Sequence, residues 1–153
     1  MAGLRQRVLN TTGRGVIGAM AMTGVRSFTG SLGLVEQTPP EAVLHQKLGG
    51  LMSRFGEQRQ QGIIEAFHWV TGAVAGAAFS VLPERLRRPS WAGPVYGVVV
   101  LGAFELAAAP LLGLEQARRE RVVERLVFLV DHLLYGLVLA PPARHQDLNR
   151  SRH

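Results

Sequence analysis

The 153-residue sequence contains no cysteine. That excludes disulfides and thiolate metal sites, and it leaves the redox compartment open. Charge is also scarce. Charged residues make up 18% of the chain against 47% hydrophobic, which is lean for a soluble domain. Lys47 is the one lysine beside sixteen arginines, and the net charge is +6. No phosphate-cradling loop, nucleophile elbow or zinc-ligand spacing occurs. Ser27, Ser31 and Ser80 have no recognisable base in their sequence context. The sequence therefore indicates no enzyme class, no cofactor and no metal. Nor does the basic balance point to nucleic acid, because no DNA- or RNA-binding motif accompanies it. Arg85, Arg87, Arg88, Arg118, Arg119 and Arg121 stand in short connections beside apolar segments, the usual place for charges that face anionic lipid headgroups.

What the chain does hold is four apolar segments, at 15–35, 62–82, 91–114 and 124–140. A spanning helix needs about 20 mostly apolar residues. Residues 66–82 and 91–104 are apolar or small on every side, which fits burial all round. A soluble domain of this size has room to enclose one such helix, not four. The expected fold is all-α, a single polytopic membrane four-helix bundle. The basic start at 1–14 followed by an apolar run has the outline of a secretory signal, but the run is long, carries Arg26 and precedes three more apolar segments, so no cleavage is expected.

The longest connection, 36–61, contains Thr38-Pro39-Pro40-Glu41, a capping-box pattern with proline at the first helical position. Leu44, Leu48, Leu51, Met52 and Phe55 follow at helical spacing, interrupted by Gly49-Gly50. This predicts an amphipathic helix over about 39–57, lying along the membrane surface or packed on the end of the bundle. With the amino terminus inside, the inner segments hold nine arginines in about 35 residues, and the outer ones six Lys/Arg in about 35. The asymmetry places both termini in the cytoplasm.

Each apolar segment is interrupted by ionisable residues: Arg26 in the first, Glu65 and His68 in the second, Glu105 in the third, Asp131 and His132 in the fourth. Counted at about 1.5 Å per residue from the long-connection end, Arg26 and Glu105 fall at ~13 Å, His68 at ~9 Å, and Asp131 and His132 at ~11 Å, with Glu65 nearer the surface. A lone charge at such depth is costly, so these six groups are expected to face inward as one polar cluster, with Arg26 neutralising Glu105 or Asp131. The bland reading is inter-helix glue in a non-enzymatic bundle that supports a membrane complex or envelope function. The sharper reading is a small proton- or ion-coupled transporter or channel, working as an oligomer because four short helices enclose little pore. A remote third is haem held between His68 and His132. Glu65-x-x-His68 has the spacing of a di-iron ligand pair, but the remaining carboxylates are too few.

Gly72-x-x-x-Gly76 and Gly93-x-x-x-Gly97 are small-residue faces that let helix backbones approach. A weak internal repeat joins the halves. His68 precedes Gly72 and His132 precedes Gly136 by the same four residues. Leu32-Gly33-Leu34 also matches Leu112-Gly113-Leu114. This allows two parallel two-helix repeats. Gly18-Ala19-Met20-Ala21-Met22-Thr23-Gly24, the Thr38-Pro39-Pro40-Glu41 stretch and the paired histidine-then-glycine helices resemble the YagU-like family of uncharacterised four-helix bacterial inner-membrane proteins. The resemblance runs over roughly residues 15–140. It implies an inner-membrane location and a compact bundle, and it implies no activity.

Overall fold

A computed structural model of the chain describes residues 2–34, 39–114 and 122–140. Every regular element among them is helical. These are α1 (Ala2–Ser31), α2 (Pro39–Met52), α3 (Glu57–Val81), a single turn α4 (Glu84–Arg87), α5 (Ala92–Leu111) and α6 (Val122–Leu139). Thr38, Glu115, Gln116, Arg118, Arg119, Arg121 and the tail from Pro141 lie outside the described residues.

α1 begins well before the expected residue 15. Residues 4–14 contain no proline, and Gln6 donates to Asn10 one turn on (3.0 Å), so the polar start continues the helix instead of preceding it. α1 and α5 end on the same device. Gly33 (φ 68°) and Gly113 (φ 62°) adopt the left-handed conformation, and the next residue's N–H reaches back five positions, Leu34 to Thr29 O (3.0 Å) and Leu114 to Ala109 O (2.9 Å). A side chain at either glycine is strained in that conformation. Inside α5 the turn Phe104–Ala108 is π-helical, with the Ala109 N–H bonded to Phe104 O. Pro110 supplies the reason: it has no N–H to donate and its ring crowds the preceding turn, so the helix takes in an extra residue there.

The helices pack as two close pairs. α1 lies on α3, α5 lies on α6, and α1 also lies on α6 to join the pairs. Glycine sets both close crossings. A Cβ on Gly72 would meet the Ala19 side chain and the Gly15 carbonyl, and one on Gly76 would overlap the Thr11 carbonyl. In the second pair, a Cβ on Gly93 would overlap the Gly136 carbonyl, one on Gly97 the His132 carbonyl, and one on Gly136 the Gly93 carbonyl. The core against which these pairs close is Met22, Phe79, Ala92, Tyr135 and Leu139.

No extended backbone contact joins α3 to α5. They meet through Tyr96, whose hydroxyl donates to Ala75 O (2.7 Å) and whose ring packs edge-on against Phe79 at 5.0 Å. Toward their other ends the two helices leave a gap. α2 packs on α3 beside it, burying Leu44 and Met52 against Ile64, while Leu48 and Leu51 stay exposed. The expected interruption at Gly49-Gly50 appears one residue earlier, at Leu48 (φ −125°, ψ 19°).

α3 and α5 are each long and apolar enough to cross a membrane, and only 22% and 17% of their apolar windows are buried. The length and composition of α1 and α6 do not carry them over the same threshold. α1 spends its first half on polar residues, and the 18 residues of α6 include Glu124, Arg125 and Asp131.

Candidate functional site

Four of the six expected polar residues come together. Arg26 of α1, His68 of α3, and Asp131 and His132 of α6 line one cavity of about 290 Å³, in the gap between α3 and α5. Its floor is α1 and α6, and Val43 of α2 stands at its end. Two lining residues, Thr71 and Leu112, are exposed, so the space is continuous with the outer face of the molecule. The walls are otherwise mostly apolar, including Met22, Val100, Leu101, Phe104 and Phe128.

The charges sit where the helix faces put them. Asp131 is three residues beyond Phe128 on the buried side of α6, and its side chain is 1% exposed. Arg26 reaches it from α1 and is 11% exposed, with Nε 3.9 Å from Asp131 Oδ2. That separation gives Coulombic attraction but is too long for a hydrogen bond. The same Nε lies 3.5 Å from the Met22 carbonyl of its own helix. His132 Nδ1 is 2.7 Å from the Phe128 carbonyl. A carbonyl only accepts, so Nδ1 carries a proton and, in the neutral ring, Nε2 is left as an acceptor. Among the described residues, three buried polar atoms have no hydrogen-bond partner: Asp131 Oδ1, Asp131 Oδ2 and His68 Nε2. All three belong to residues of the cavity wall.

Glu105 and Glu65 do not join this lining. Glu65 is half-buried nearer the α2 end, with its carboxylate in electrostatic reach of Arg26. Glu105 is half-buried and makes no ion pair among the described residues, and the acid that Arg26 faces is Asp131. Depth along α5 places Glu105 in the layer, but the face that lines the cavity runs through Val100, Phe104, Ala108 and Leu112 at one-turn spacing, and Glu105 lies beside it.

One residue absent from the expected cluster is central to it. Tyr135, 3% exposed, sits against Gly18 of α1 and donates its hydroxyl to the Gly72 carbonyl of α3 (2.7 Å), tying three helices together at the cavity floor. A phenol in an apolar helix needs a buried acceptor, and that requirement is the signal that would have singled it out. Its place one turn after Asp131 puts it on the same face. Among the described residues no group of three or more acidic or histidine side chains is placed to hold a metal ion.

Compared with known protein families, with curated proteins and with solved structures, the chain matches none of them.

Proposed function

We propose that the chain is a multi-pass helical protein of a bacterial inner membrane, and that Arg26, His68, Asp131 and His132 form the binding site of a small proton- or ion-linked transporter. Two features support the membrane reading. Phe28, Val70, Val74, Val99, Leu106 and Val130 are exposed on the outer faces of the four long helices, Leu106 by 83%. The ion pair is instead turned inward. Exposed apolar area on this scale needs a partner, and lipid is the solvent that covers all sides of a bundle at once. With all four long helices spanning, both termini lie on the cytoplasmic side, and the arginine-rich connections meet anionic headgroups. The glycine crossings and the shared α1 and α5 caps support two parallel hairpin repeats.

The observation that carries the transport reading is the set of unpartnered atoms on the cavity wall. Polar side chains that serve only to fix helix register in a bundle supporting a membrane complex are paired, because an unmade bond in a dry interior costs about 1–3 kcal/mol. Here a carboxylate and an imidazole nitrogen are left open toward a space that a ligand can enter. In a two-hairpin arrangement, α3 and α5 would be the counterparts of the closely packed α1 and α6. The site occupies the one interface of the four that is left apart.

The test is proton flux in liposomes with a trapped pH dye and an imposed potassium diffusion potential. The parent protein acidifies the interior, and Asp131→Asn slows this at least ~10-fold, one order of magnitude corresponding to about 1.4 kcal/mol, while circular dichroism shows the variant still folded and helical at the assay temperature. Equal flux from the two proteins would remove the transport reading and return the cluster to inter-helix glue.

A further inference from the structure

The cavity wall has chemistry specific enough to name what it takes. We infer that the site binds a neutral amphiphile with a hydroxyl head, an alcohol or a phenol, which enters from the bilayer between α3 and α5. This rests on the membrane reading above but not on transport.

The argument begins with the 3.9 Å gap between Arg26 Nε and Asp131 Oδ2. It is too wide for a direct hydrogen bond, and both carboxylate oxygens lack a donor. A group that fills this gap donates to Asp131 and accepts from the guanidinium. A hydroxyl does both. An ammonium has donors but no acceptor, and a carboxylate has acceptors but no donor. Charge points the same way. Arg26 and Asp131 already offset each other, so a neutral head leaves the buried site balanced, whereas an ionic head adds a net charge to a low-dielectric space. The open His68 Nε2 on the facing helix offers a second polar contact.

Water satisfies the same polar demand. It makes no use of the rest of the wall, where Val100, Leu101, Phe104, Phe128 and Ala108 present hydrocarbon. A volume of about 290 Å³ sits at the low end of small-molecule sites, enough for a head and the first part of a tail. The remainder of the tail leaves where Thr71 and Leu112 reach the surface, among the exposed apolar side chains of α3 and α5. Thr71 lies midway along α3, so the opening on that side faces acyl chains, and a ligand entering there reaches the polar end without crossing an aqueous boundary.

The experiment uses the full chain in phosphatidylcholine vesicles, whose lipid carries no free hydroxyl. A photoreactive diazirine analogue of dodecanol is cross-linked and the labelled residues are mapped by mass spectrometry. The expected labels fall on Leu101, Phe104 and Ala108. Dodecanol or nonylphenol should displace the probe at least ~10-fold better than dodecyl methyl ether, which lacks the donor, and better than dodecylamine or laurate. An aliphatic winner and a phenolic winner both support the inference and distinguish an isoprenoid-type alcohol from a quinol-type head. Asp131→Asn should reduce the alcohol's advantage over the ether at least ~3-fold. Leu101→Trp should abolish cavity labelling while labels on the outer faces persist. Equal competition by ether and alcohol, preference for the amine or the acid, or labels confined to outward residues such as Val70 and Leu106 would each overturn the proposal. If labelling behaves as expected but proton flux is absent, the site stands as a lipid-alcohol binding site and transport alone fails.

Discussion

At the scale of single residues, the molecule depends on side chains that are missing. Gly97 lies so close to α6 that a Cβ would overlap the His132 carbonyl, while Gly102, five residues on in the same helix, has nothing within 4 Å of that position. The two sites make a controlled comparison. Gly97→Ala forces α5 away from α6 and should cost about 1–3 kcal/mol or more, the ordinary cost of overpacking. Gly102→Ala should leave stability unchanged or raise it by up to ~1 kcal/mol through helix propensity. Melting of both variants in one detergent reads the difference, and equal melting temperatures would mean that α5 and α6 do not cross at Gly97. The ion pair makes a second residue-scale prediction. Buried pairs are often replaced by apolar side chains at no loss of stability, whereas removing one partner strands a charge. The double variant Arg26→Met with Asp131→Leu should therefore melt at or above the parent, and Arg26→Met alone well below it. A double variant that falls as far as the single one would show the pair to be structural.

At the scale of elements, helix ends carry the organisation. Arg14 Nη1 of α1 donates to the Leu139 carbonyl at the end of α6 (3.4 Å), and Arg87 Nε donates to the Leu82 carbonyl at the end of α3 (2.8 Å). Each puts a cation against the negative end of a helix dipole and supplies a bond to a carbonyl with no helical partner. Arg14→Ala should cost about 0.5–1 kcal/mol and raise amide exchange in the last turn of α6 more than in its first half. Uniform exchange along α6 would show that the contact contributes nothing. The capping glycines at 33 and 113 were legible as a repeated motif because a left-handed residue after a helix is a local demand. The π-helical turn of α5 was not. Its cause, Pro110, is visible in the sequence, but a proline near a helix end is also compatible with simple termination, and the irregular turn follows only once the helix is seen to continue.

At the scale of the whole molecule, hydrocarbon lies on the outer faces of the long helices as well as in the core, and the Arg26–Asp131 ion pair is buried. The absence of native cysteine allows this to be measured without background. In oriented vesicles, Val74→Cys and Leu106→Cys should resist a water-soluble maleimide until the bilayer is dissolved. Arg7→Cys and Arg88→Cys should react from one side, and Arg54→Cys from the other. Rapid labelling of Val74→Cys and Leu106→Cys in intact vesicles, or extraction of the protein without detergent, would defeat the membrane reading.

The division between sequence and tertiary structure follows from the range of the forces involved. Apolar run length, the glycine faces and the depth of each ionisable residue are properties of a segment by itself, so the helical class, the four long helices (the polar start of α1 excepted) and four members of the site could be read without coordinates. Which neighbour each helix takes depends on how closely two backbones can approach, and that depends on both partners together. Only the packing put Arg26 opposite Asp131 instead of Glu105, brought Tyr135 into the floor, and left α3 and α5 apart so that the unpartnered groups face a cavity.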